Sequence, residues 1–202
     1  MKRSFLLLAL VGLLISAACG RAAQADRSAQ NGKMTVSFNY LAQDGYASNQ
    51  FAVWVENSEG AFVKTLYVTR FTASGGFRKR PDAIPLWVER SGAATLERVD
   101  ATSSATPKSG PLAFNWDLTD ASGERVPDGT YRYFVEGTLR WKNSVRFTGE
   151  MTLNGEATSV SPATAEYSYT ASEDAPMLTK DSPENGMITN VAAAYAPPAE
   201  LP

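Results

Sequence analysis

The side chains here that could do chemistry are few, and no histidine is among the 202 residues. That absence removes Ser-His-Asp and Cys-His catalysis and the usual zinc, copper and haem sites together. No G-x-G-x-x-G or Walker loop is present either. Carboxylates remain: Asp117, Asp120, Glu124 and Asp128 crowd one stretch. A Ca²⁺ site is conceivable there, but the spacing does not fit an EF-hand and Asp is ordinary in β-turns, so no metal is assigned. A carboxylate-pair hydrolase has no supporting motif. A second group is basic: Arg70, Arg78, Lys79 and Arg80 surround Gly75-Gly76. Read functionally, Arg78, Lys79 and Arg80 are anion-binding candidates, for a phosphate or lipid A. Read blandly, they are a solvated loop. No catalytic residue is assigned, and the expectation is a non-enzymatic protein.

The elements that must position these groups read as strands. Pro111 to Trp141 organises the rest: Leu112, Phe114, Trp116 and Leu118 alternate with small or polar residues, and Tyr131, Tyr133 and Val135 alternate with Arg132, Phe134 and Glu136. Asp120, Ser122, Gly123, Pro127, Asp128 and Gly129 between the two arms are turn residues, so the stretch is expected to be a β-hairpin with an irregular turn. Before it, Met34, Val36, Phe38 and Tyr40 give a first strand. Phe51 to Glu56 and Phe62 to Arg70 give a second hairpin around Asn57-Ser58-Glu59-Gly60. Phe71 to Arg80 is expected to be a loop. Ile84, Trp87 and Val88 then fall at helical spacing with Asp82 available as N-cap, predicting one short helix over 83–90. Ser91 to Gly110 is a long small-residue loop. Val145, Phe147, Met151 and Leu153 alternate, then Ala165, Tyr167 and Tyr169, and finally Met187, Thr189, Val191 and Ala193. About eight strands with no repeating βα unit argue for an antiparallel β-sandwich with one short helix. Trp54, Trp87 and Trp116 belong to the core; Trp141, beside Arg140 and Lys142, is the tryptophan expected to be most exposed.

With 44% hydrophobic and 10% aromatic residues the chain is globular, and its length suits one sandwich domain but hardly two. Residues 1–18 have the make-up of a secretory signal: Lys2 and Arg3, an apolar run too short to span a bilayer, then small residues. Ile15-Ser16-Ala17-Ala18-Cys19 satisfies a loose lipobox that would leave Cys19 as the lipidation site, and the absence of Asp after it points to the outer membrane. Ala23-Gln24-Ala25 is a competing cleavage site that would leave no cysteine. Either way no internal disulfide forms. The expected organisation is signal 1–18, tether 19–33, sandwich 34–196 and a Pro-rich tail 197–202, in a periplasmic, lipid-anchored protein. Losing Lys2 and Arg3 takes a net charge of −2 to −4, which is no nucleic-acid-binding field.

Two resemblances add to this. W-D-x-x-D-x-x-G-x-x-V-P-D-G-x-Y, from Trp116 to Tyr131, resembles an Ig-like hairpin of bacterial envelope proteins, including flagellar hook-cap proteins, and implies an Ig-like sandwich. FAVWVENSEGAFVKTLYVTRF (51–71), KRPDAIPLW (79–87), VDATSSATPKSG (99–110), WDLTDASGERVPDGTYRYFVEGTLRWKN (116–143) and MITNVAAAY (187–195) resemble the predicted periplasmic proteins of domain-of-unknown-function family 2271. By association, that resemblance implies a partner in an envelope redox system handling flavin or iron.

Within 99–110, Asp100-Ala101-Thr102-Ser103-Ser104-Ala105-Thr106 is similar to the D-[GA]-x-[ST]-G-A-[TS] motif of covalent flavinylation. That similarity implies FMN joined through its phosphate to Thr106, with Asp100 and Ser103 as motif residues, and the basic cluster as a seat for the FMN phosphate. Ser104 stands where the motif has Gly, and would resist a backbone requiring positive φ. A small-residue connection between sheets remains the alternative. The leading expectation is a binding or accessory protein of the envelope. Its rivals are an FMN-carrying electron-transfer protein and a structural Ig-like module whose edge strands pair with a partner.

Overall fold

The computed structural model describes residues 32–44, 49–93, 103–104, 106–173 and 177–198. The expected signal, Cys19, almost all of the tether, Asp100 and the end of the tail lie outside the described residues. In chain order the elements are β1 (Lys33–Tyr40), β2 (Gln50–Asn57), β3 (Phe62–Thr69), helix α1 (Arg70–Ala73), a 3₁₀ turn (Gly76–Arg78) and helix α2 (Pro85–Arg90). They continue with β4 (Ser103–Ser104), β5 (Gly110–Trp116), β6 (Gly129–Arg140), β7 (Asn143–Leu153), β8 (Thr158–Pro162), β9 (Thr164–Ser168), a 3₁₀ turn (Pro183–Met187) and β10 (Ile188–Ala196).

These strands form two antiparallel sheets, one ordered β5-β1-β10-β8 and the other β3-β2-β6-β7-β9. Two-residue β4 adds a parallel edge beside β3. The fold is an all-β sandwich, with β4 and β8 as strands beyond the eight read from the sequence.

The main core lies between the sheets. Met34, Val36, Phe38 and Tyr40 of β1 face Phe51, Val53 and Val55 of β2, with Tyr133, Val135, Phe147 and Met151 beside them. The alternation in β1 follows from one face meeting this core and the other meeting solvent. β2 does not alternate, because both its faces are covered. On its outer side Ala52 and Trp54 join Val68, Phe134, Phe77, Ile84 and Trp87 in a second, smaller core under the segment that carries α1 and α2. Trp54 stacks on Phe134 at 5.0 Å and 8°.

The stretch 111–141 is not a hairpin. Its first arm, β5, pairs with β1 in the smaller sheet, and its second arm, β6, pairs with β2 and β7 in the larger one. The turn residues therefore build a crossing between layers. Leu118 adopts φ 56°, Thr119 forms an isolated bridge with Arg125, and Val126 N donates to Leu118 O at 2.9 Å. Trp116 Nε1 donates to Thr119 O at 2.7 Å, and Tyr131 Oη donates to Pro127 O at 2.7 Å. The two rings meet edge to face at 5.1 Å, joining the ends of the crossing. Alternating patterns identify each strand but not its partner, and a tight-turn signature between two strands fits a crossing as well as a hairpin.

Three smaller expectations also change. Phe71 to Arg80 is not an irregular loop but contains α1 and a 3₁₀ turn. α2 is not capped by Asp82. Its N-cap is Ile84 at φ 44°, and its orphan donors Leu86 N and Trp87 N reach the Glu136 carboxylate of β6 at 3.1 and 2.8 Å. β9 is an exposed edge throughout, with Tyr167 37% exposed and stacked on Tyr169 at 5.9 Å. Trp54, Trp87 and Trp116 are buried as expected. Trp141 is half-buried, at φ 49° in the β6–β7 turn, with the Arg80 guanidinium 5.4 Å from its ring centroid.

Candidate functional site: a basic cavity beyond β3

At the end of β3 three groups converge. Thr69 is buried, and its hydroxyl donates to Gln50 Oε1 of β2 at 2.6 Å; Thr72 of α1 donates to the same oxygen at 3.1 Å. That shared acceptor ties α1 to the sheet and leaves Arg70 and Phe71 on the outside of the turn, both exposed. Gly75 then takes φ 84°, a conformation that Gly adopts without strain, and turns the chain into the 3₁₀ turn that delivers Lys79. From the other direction β4 runs parallel to β3, with Val68 opposite Ser103 and Thr69 opposite Ser104. Two residues on, Thr106 stands exposed beside α1. Arg70, Phe71, Ser74, Gly75, Gly76, Lys79 and Thr106 together line an open cavity of ≈ 550 Å³.

The structure splits the basic cluster. Lys79 and Arg70 line the cavity. Arg78 does not, and its guanidinium lies 5.1 Å from the Phe77 ring centroid. Arg80 packs on Trp141. Among the described residues, Arg70 and Lys79 have no carboxylate or side-chain hydrogen-bond partner. Lys64, Arg90, Arg125, Arg132, Arg140 and Arg146 each face a carboxylate. Two exposed cations beside a hydroxyl-bearing cavity are the chemistry that an anion with several oxygens would require.

Among the described residues of the 100–106 stretch, Thr106 lines the cavity. Ser103 lies in β4, paired through its backbone, and Asp100 is outside the described residues. Ser104 has extended backbone and is not among the residues of positive φ, so serine there meets no conformational objection. Phe71 and Ser74 escaped the sequence reading. An aromatic in a polar, glycine-containing segment was the available signal for Phe71.

The four crowded carboxylates diverge instead of converging. Asp117 is buried and accepts from Lys64 Nζ at 3.0 Å and from Thr119 Oγ1 at 2.7 Å. Burial opposes its ionisation, but the hydrogen bonds from Thr119 and Lys64 and the ammonium charge outweigh it and hold the carboxyl below its ordinary range. Asp120 accepts from Ser122 Oγ, Ser122 N and Glu124 N within its own turn, and the bonds from Ser122 and the turn amides keep its carboxyl low. Asp128 pairs with Arg125 at 3.0 Å. Among the described residues no group of three or more potential metal ligands comes together. The motif from Trp116 to Tyr131 is thus accounted for by the crossing it builds.

The chain matches a family model described as predicted periplasmic protein (DUF2271) over residues 31–169. The chain belongs to this family. The match takes in β1 to β9 and the described residues lining the cavity; the stretch 187–195, which makes up most of β10, lies beyond it. No curated protein and no solved structure matches the chain. No helix among the described residues is long and apolar enough to cross a membrane.

Proposed function

We propose that this member of a predicted periplasmic family is a non-catalytic binding or accessory protein of the cell envelope. In this reading the cavity beyond β3 receives a phosphate-bearing ligand, in the service of a flavin- or iron-linked redox system. The observation that carries the reading is the meeting around one cavity of Thr106 with Arg70 and Lys79, which have no carboxylate partner among the described residues. Arg70 supplies a planar fork of donors for phosphate oxygens, Lys79 a mobile point charge, and the Ser74 and Thr106 hydroxyls complete the polar lining. In this reading the site binds without transforming, since its described lining holds no carboxylate to serve as a general base.

Calorimetry with inorganic phosphate on the mature chain tests this. Arg70→Ser with Lys79→Ser is expected to lower affinity at least about tenfold, the loss of two charge-assisted contacts. Unchanged affinity would remove the site. Vesicles carrying an anionic phospholipid, titrated in parallel, distinguish a lipid headgroup from a free phosphate.

The exposed hydroxyl of Thr106 on the cavity supports a second reading, FMN attached covalently there. Arg70 and Lys79 would flank the phosphodiester and Phe71 the ring system. FMN so held would supply the electron-transfer step, and the chain would supply position and charge. Cys19 would then anchor the carrier at the outer membrane. Intact mass and visible absorbance of protein from its own host decide it: an FMN increment lost in Thr106→Ala supports attachment, and a mass explained by the acylated or unacylated chain alone excludes it.

A further inference from the structure

Phe71 lines the basic cavity, yet it is 42% exposed and belongs to neither core. Its position is nonetheless set. Gly76 abuts it so closely that an added Cβ would lie 2.6 Å from Phe71 Cε1, 2.7 Å from Cδ1 and 2.4 Å from the Phe71 carbonyl oxygen. Gly76 has no positive φ that would demand glycine, so the contact with Phe71 is what excludes a side chain there. α1 is fixed from below by Thr72 on Gln50, and Gly75 N donates to Thr72 O at 3.0 Å, closing the turn that brings Gly76 against the ring. An aromatic ring held in this way, exposed beside Arg70 and Lys79 in one cavity, has the attributes of a stacking surface.

We infer that Phe71, backed by Gly76, is a stacking platform that makes the cavity selective for phosphates carrying a planar ring over phosphates without one. The inference rests on the anion-binding reading above and adds the chemical class of the ligand: a planar heteroaromatic monophosphate, with its phosphate towards Arg70 and Lys79 and its ring on Phe71. A stacked ring contributes on the scale of a tenfold gain in affinity.

The test titrates the mature chain with inorganic phosphate, ribose 5-phosphate, adenosine 5′-monophosphate and FMN. The two ring-bearing phosphates are expected to bind about tenfold more tightly than ribose 5-phosphate. Phe71→Ala brings the ring-bearing phosphates down to the affinity of ribose 5-phosphate, while Phe71→Trp preserves their advantage. Gly76→Ala, which crowds both the Phe71 carbonyl and its ring, is expected to weaken the ring advantage as well. Phe71 is exposed and outside both cores, so Phe71→Ala is expected to melt as the parent does. If all the phosphates bind equally to the parent chain, or the ring advantage survives in Phe71→Ala, the platform is refuted while the anion site stands. If none binds, the anion site falls and the platform with it.

Discussion

Glu136 gives the sharpest test of how the cavity-bearing segment is fastened to the sheet. Glu136 is 4% exposed on β6, between Ala52 of β2 and Arg146 of β7, and its carboxylate accepts from the first turn of α2. Burial pushes its pKa from 4.5 to about 7, against the opposing pull of Trp87 N–H, Leu86 N–H and the Arg146 charge. Ionising it in the folded chain therefore costs about 3 kcal/mol more than in the unfolded chain. Because the folded pKa lies above the unfolded one, stability is greatest below pH 4.5. It falls as the pH rises to about 7 and is level beyond. The chain has no histidine to titrate in that window, and the lowered Asp117 and Asp120 carboxyls act only below it. Urea unfolding across pH 4.5–8 should show this loss of about 3 kcal/mol in the parent and a nearly flat profile in Glu136→Gln. A parent profile that is flat or rises with pH, or a slope kept in the Gln variant, would refute the reasoning.

Two further outcomes follow from packing. In Gly149→Ala the new Cβ would sit 2.2 Å from Tyr133 Cζ and Oη, forcing a fully buried ring off its bond to the Ser161 carbonyl. A destabilisation of about 2–4 kcal/mol is expected by urea unfolding. Asp117→Ala removes the acceptor that Lys64 and Thr119 share at the crossing between sheets, at a cost of about 1–3 kcal/mol in the same assay. A double-mutant cycle with Lys64→Ala should recover part of that cost as coupling between the pair.

What could be read from the sequence was set by range. β1 and β7 announce themselves because one face meets the core and the other does not, and period two records that within a single segment. Trp87 and Ile84 likewise gave α2 from local spacing. Partners were not legible: the turn chemistry at Asp120, Gly123 and Pro127 serves a crossing as well as a hairpin, and only the pairing of β5 with β1 separates them. The cap of α2 was hidden for the same reason, since Glu136 lies 50 residues from Leu86. At the candidate site the charges and Thr106 were visible as residue types. Their meeting depends on the parallel β3–β4 pairing and on the Gln50 tie, and neither leaves a local pattern. Arg78 and Arg80 were indistinguishable from Lys79 in sequence and are separated only by the rings they find.

The central claim is the location of the ligand, and amide shift mapping addresses it most directly. Isotope-labelled mature chain titrated with inorganic phosphate should show saturating shifts confined to residues 70–79 and Thr106, with the crossing at 117–128 unmoved. Shifts that stay linear to the highest phosphate concentration, or that centre elsewhere on the sandwich, would contradict the account.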